Sequence, residues 1–150
     1  MRSGGGWANE QMDILTTSTL TLATCGADGC PHAAPVYFAA DDQLRLYFFS
    51  DPLSQHSLDL ERDPRAAAAI YPECQGWQDI RGLQLKGEAR QVPPGADWQA
   101  VWALYAAKFP FVHELKEAVG RNALYVFIQH WARLVDNRRG FGFKQEWELP

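Results

Sequence analysis

The chain has 150 residues, 47% of them apolar and 21% charged, which fits one globular domain able to bury a sizeable core. Fourteen basic against eighteen acidic residues give a net charge of −4, so there is no cationic excess to neutralise a nucleic-acid backbone and no nucleic-acid partner is expected. The N-terminal MRSGGGWANEQ lacks the apolar core of a signal peptide and no apolar run approaches a membrane span, so a cytoplasmic protein without a membrane partner is expected.

The Gly-rich first residues, 1–7, are expected to be mobile, with a short helix around Ala8–Leu15. Thr19–Cys25 alternates and is rich in β-branched residues, which predicts a strand. Asp28-Gly29 signals a turn, Pro31–Ala39 a second extended run, Asp41-Asp42 another turn, and Leu44–Phe49 a third strand. Ser50-Asp51-Pro52 then supplies capping residues, and Leu53, Ser57, Leu58 and Leu60 suggest a short amphipathic helix ending before Asp63-Pro64.

Arg65–Tyr71 is helical by propensity, since alanine leads that scale. Its bracketing by Pro64 and Pro72, its length and its small side chains instead predict a buried strand. Asp79–Val92 alternates, and Gly82 and Gly87 within it point to a bulge or a close backbone approach. Ala96–Lys108 is the clearest helix, its Trp98, Val101, Trp102 and Tyr105 spaced as a core face. A further helical turn is predicted over His113–Val119 and a long strand over Ala123–Val135; the tail from Asp136 mixes turn residues, cations and aromatics. The order β-β-β-α-β-β-α-β describes a single α+β domain built on an antiparallel barrel.

No Ser-His-Asp order, Walker loop or paired-carboxylate motif is present, so no catalytic residue is assigned. Cys25-x4-Cys30-x-His32 has a loose metal-ligand look, but its two cysteines flank a predicted hairpin turn and no second Cys/His pair lies close. Packed or idle thiols and no metal are expected. His113 and His130 are isolated.

ATCGADGCPHAAPVYF, LYFFSDPLSQHSLDLERDPRAAAAIY and LQLKGEAR resemble, in that order, pieces of the FMN-binding split barrel of pyridoxamine 5'-phosphate oxidases. IRGLQLKGEAR, AKFPF and DNRRGFGFKQEW resemble an uncharacterised bacterial subgroup of that superfamily, the YhbP-like proteins. The resemblance covers residues 12–148. It implies a six-or-more-stranded antiparallel Greek-key split β-barrel flanked by two to four helices, working as a homodimer with flavin pockets at the subunit interface. It also implies FMN as cofactor, in an oxidoreductase acting on an unassigned small molecule, with NADH or NADPH as a possible electron donor. The alternatives are a flavin- or haem-binding module without turnover, or a barrel that has lost flavin.

The family pattern implies that the flavin ring lies against Ala34, Val36 and Tyr37, and that Phe49 and Ser50 sit near the ring and ribityl chain. It places the phosphate at the start of the following helix, beside Ser54, Gln55 and His56. There a helix N-terminus would point N–H groups at the anion. The oxidases carry an Arg-Lys pair at the positions of Gln55 and His56, and a phosphate-binding Gln at that of Gly82. Arg81 is a candidate to compensate. The C-terminal Asn137, Arg138, Arg139 and Phe141 are candidates to reach the partner subunit's flavin pocket. A solvated turn is an equally open reading of them, as a solvated helix residue is of His56.

Overall fold

A computed structural model describes residues 13–150 of the chain. The expected mobile segment, and residues 8–12 of the expected first helix, lie outside the described residues. Ile14–Thr16 forms a 3-10 turn capped by the Asp13 carboxylate.

Eight strands form one antiparallel sheet: β1 (Thr19–Cys25), β2 (Pro31–Tyr37), β3 (Ala39–Ala40), β4 (Leu46–Ser50), β5 (Arg65–Ile70), β6 (Arg81–Gln91), β7 (Ala123–Asp136) and β8 (Lys144–Glu148). Their spatial order is β2-β1-β5-β6-β7-β4-β3, with β8 also on β7. Three helices accompany them: α1 (Gln55–Arg62), α2 (Ala96–Lys108) and α3 (Lys116–Gly120). This is the expected α+β split barrel.

The long β7 organises the sheet. One edge pairs with β6 from Tyr125 to Asp136. Its other edge takes β4 over Ala123–Phe127 and β8 over Trp131–Val135. Inward-facing Leu20, Leu22, Phe48, Ile70, Leu83, Leu85, Phe127 and Leu134 fill the interior, each contributing roughly 1.5–3 kcal/mol on burial. Tyr47 and Leu124 face the other way and pack under Val101 of α2.

The alanine run is a strand, as its bracketing prolines, its length and its small side chains predict. Ala68 and Ile70 face the core while β1 and β6 pair on either side. Gly87 marks the bulge: pairing shifts between Lys86↔Trp131 and Gly87↔Gln129, leaving His130 extra. A Cβ on Gly87 would stand 2.0 Å from the Ile128 carbonyl oxygen, so only glycine fits.

Three expectations are corrected. The third extended run begins at Leu46, not Leu44, because Asp41 uses its carboxylate to accept the Gln43 and Arg45 amides and folds that stretch into a turn. Pro110–His113 is a separate 3-10 turn ahead of α3. The tail hides a strand, β8, whose Trp147 is buried. A fourth difference concerns α1. Its buried face carries Ser57, Asp59 and Leu60, while Leu53 and Leu58 are exposed.

Candidate functional site

The site is built where β4 runs into α1. Asp51 and Pro52 turn the chain. The Asp51 carbonyl accepts both the amide (3.0 Å) and the hydroxyl (2.7 Å) of Ser54, and its carboxylate accepts the Leu53 amide (2.9 Å). This turn sets the His56 ring beside two hydroxyls. Its Nε2 lies 2.7 Å from Ser50 Oγ and 3.3 Å from Ser54 Oγ. Burial pushes the His56 pKa below its ordinary value, and Asp59, one turn along, only partly opposes this. His56 is therefore neutral at pH 7 when no anion is close. Ser54 and His56, two of the three residues expected at the phosphate, are thus brought together with Ser50, which with its β4 neighbour Phe49 is expected nearer the ring and ribityl chain.

Gln55 is drawn elsewhere. Its amide donates to Asp59 Oδ1 (2.9 Å), and Asp59 Oδ2 meets Thr24 Oγ1 and His32 Nδ1, each at 2.8 Å. Asp59 is 1% exposed. Burial alone would raise its carboxyl, but the hydrogen bonds from Thr24, Gln55 and His32 outweigh that and hold it below the usual range. Arg62 caps the arrangement, donating to the Cys25 carbonyl. This hub fastens α1 to the β1–β2 hairpin. The only signal of it in the sequence is a carboxylate on the inward face of a short helix.

β2 ends the sheet on one side, so one of its edges is unpaired. Phe38 N bonds Ser18 O and Gly26 N bonds Cys30 O. Antiparallel alternation between those two bonds turns the backbone groups of His32, Ala34 and Val36 toward β1. Those of Ala33, Pro35 and Tyr37 face the open edge. Pro35, which has no N–H, suits that edge. Ala34 and Val36 also direct their side chains inward, Val36 into the core. Tyr37 is half-exposed, in edge contact with Phe109 and Phe111 at 5.5 and 5.9 Å. Of the three ring contacts expected on β2, only Tyr37 is presented outward; Ala33 and Pro35, not Ala34 and Val36, share the open edge with it.

Arg81, Asn137, Arg138, Arg139 and Phe141 gather at the other end of the sheet. Arg81 opens β6, ten residues before Gln91, about 33 Å of extended chain from the end nearest Ser50. Its guanidinium pairs with Asp13. Arg138 grips Asp136 through two bonds of 2.9 and 3.0 Å, and Arg139 approaches the same carboxylate at 3.7 Å. Asn137 fastens two loops, donating to the Trp77 carbonyl (2.7 Å) and accepting the Gly142 amide (2.9 Å). The result is an exposed edge-to-face pair, Trp77 with Phe141, the latter 83% exposed. Within one chain these residues do not meet the Ser50–His56 end. Gly82 instead serves a close approach: a Cβ there would lie 3.0 Å from the Ile70 carbonyl oxygen.

Cys25 faces Pro31 across the hairpin rather than Cys30, and no cluster of three candidate metal ligands occurs among the described residues. No helix there is long and apolar enough to cross a membrane.

The family model for pyridoxamine 5'-phosphate oxidase matches residues 9–135. The chain belongs to this family. Among curated relatives it is 26% identical over 129 residues to a UPF0306 protein of Photorhabdus laumondii, covering 86% of each chain. It is 28% identical over 89 residues to the pyridoxine/pyridoxamine 5'-phosphate oxidase of a Psychrobacter species, covering 57% of this chain but 39% of that enzyme. Of solved structures, a heme binding protein from Mycobacterium smegmatis superposes with a TM-score of 0.77 at 22% identity, over 99% of this chain and 59% of that one. That likeness is one of fold.

Proposed function

We propose that the protein is a flavin-binding homodimer of the pyridoxamine 5'-phosphate oxidase family, with FMN as its ligand, working in the cytoplasm as an oxidoreductase on a small molecule. The observation that carries this reading is the Ser50–Ser54–His56 cluster at the first turn of α1. Two hydroxyls, an imidazole and the free N–H groups of a helix start form a donor set matched to a phosphate ester. An incoming dianion would favour the imidazolium form of His56, turning a neutral contact into a charge-assisted one.

The open edge of β2 suits the polar rim of a flat ring. Ala33 and Tyr37 carry backbone groups there, and the Tyr37 side chain offers an apolar wall. Bound flavin would supply the redox chemistry; the protein's part is to hold the ring, orient it and limit water. A two-fold dimer would complete each pocket, because the Trp77–Phe141 loops of one protomer lie too far from its own α1 but can face that of a second copy. Arg81 is not part of the same-chain phosphate site in this reading, being committed to Asp13.

An absorbance spectrum of the purified protein, before and after incubation with FMN and gel filtration, tests the proposal. Retained flavin bands support it; a colourless protein contradicts it. The haem-binding relative of like fold supports a second reading, and retention of hemin with a shifted Soret band in place of flavin would favour that one. A monomer in sedimentation would remove the shared pocket.

A further inference from the structure

The proposed phosphate end is short of charge. Gln55 is held by Asp59, His56 is neutral, and Arg62 at the far end of α1 is tied to Asp59 and the Cys25 carbonyl. Most other arginines are spent as well. Each of those among the described residues except Arg121 has a carboxylate partner at 3.9 Å or closer. The Arg121 guanidinium makes neither an ion pair nor a hydrogen bond with any described residue.

Its position is pointed. Ser50 pairs with Ala123 across β4 and β7, two residues beyond Arg121. A cleft of about 480 Å³ opens there, lined by Pro52 on the way into α1, by Arg121 and Asn122 on the way into β7, and by Gln91 and Trp98. No acidic residue lines it, so an anion entering meets one cation and no opposing charge. An arginine can offer a phosphate two parallel N–H bonds in one plane.

We infer that Arg121 is the permanent cation for the phosphate end of the ligand, reaching it across the Pro52 cleft, beside a His56 that becomes charged only when the phosphate is bound. This rests on the flavin reading and sharpens it: the charge that the oxidases keep on the helix is supplied here from the loop before β7. Arg121 then acts on the phosphate alone, not on the ring.

Two probes separate those roles, FMN and riboflavin, which share the ring and differ in the phosphate. Dissociation constants are measured by flavin fluorescence for the full-length wild type, Arg121→Gln and Arg121→Lys, with melting curves to confirm folding. The inference predicts that Arg121→Gln weakens FMN about ten-fold or more while leaving riboflavin within two-fold, and that Arg121→Lys recovers part of the loss. An FMN-to-riboflavin affinity ratio unchanged in Arg121→Gln overturns the inference and leaves the flavin reading intact. A wild type that binds neither probe removes both.

Discussion

Ser50 Oγ and His56 Nε2 stand 2.7 Å apart, joining the last residue of β4 to the first turn of α1 across a tight loop. The contact is made with a histidine that burial keeps neutral. It therefore links ligand charge to proton uptake: a phosphate dianion at this point stabilises the imidazolium, so binding takes up a proton. FMN affinity should rise as pH falls from 8 toward 6.5, above the second phosphate pKa of about 6. His56→Gln should flatten that dependence. His56→Lys should strengthen binding at pH 8 by about ten-fold, since it supplies a permanent charge. Titrations at several pH values check all three, and a wild-type affinity indifferent to pH would contradict the coupling.

Asp59 and its three hydrogen-bond donors make a second prediction. Its folded pKa lies below the unfolded value of about 3.9. The stability it contributes is thus present above that value and lost as pH falls through the folded pKa. Asp59→Asn should lower Tm at pH 7 by roughly 4–10 °C, through a loss of about 2–3 kcal/mol, and should diminish the acid-side loss seen in the wild type. Thermal unfolding between pH 3 and 7 measures both.

What was legible in the sequence follows from range. The Arg65–Ile70 strand could be read because prolines at 64 and 72 bound it locally, and Gly87 because a glycine within an alternating strand announces a bulge. β8 could not: its KQEWE has one large apolar residue, and the β7 residues it pairs with, Trp131–Val135, lie across the intervening loop. The Ser50, Ser54 and His56 cluster was legible as a helix start beside a strand end. The Asp59 hub was not, because Thr24 and His32 reach it from 35 and 27 residues away. The neutralisation of Arg81 by Asp13, 68 residues off, was hidden for the same reason. That Ala34 and Val36 turn away from the open edge was hidden because a strand's sequence does not say which edge remains open.

Lys108 carries a third prediction. Its ammonium is half-buried over the Phe38 ring, 3.8 Å from the centroid, and donates to the Leu15 and Thr17 carbonyls at 3.1 and 2.8 Å. Burial pushes its pKa down to about 8. Between that value and the ordinary 10.5, the unfolded chain binds more protons than the folded one, so this group's contribution to stability rises with pH. Wild-type Tm should gain on Lys108→Met between pH 8 and 10. A constant difference across that range would contradict the shift.

Gly87 and Gly76 form a matched pair. A Cβ at 87 would collide with the Ile128 carbonyl, whereas at 76 it would meet nothing within 4 Å. Gly87→Ala should lower Tm by more than about 10 °C or prevent folding, while Gly76→Ala should change it by no more than a degree or two. Equal effects would mean that the bulge is not pinned by glycine.

The central claim is that the α1 turn and the β2 edge hold flavin, and the melting temperature of the full chain as a function of FMN concentration tests it most directly. At a hundred times the dissociation constant, binding to the folded state alone adds about 2.7 kcal/mol, which predicts a rise in Tm of roughly 5–10 °C. The rise should shrink in Ser50→Ala and His56→Gln. A Tm that does not move at saturating FMN would contradict the account.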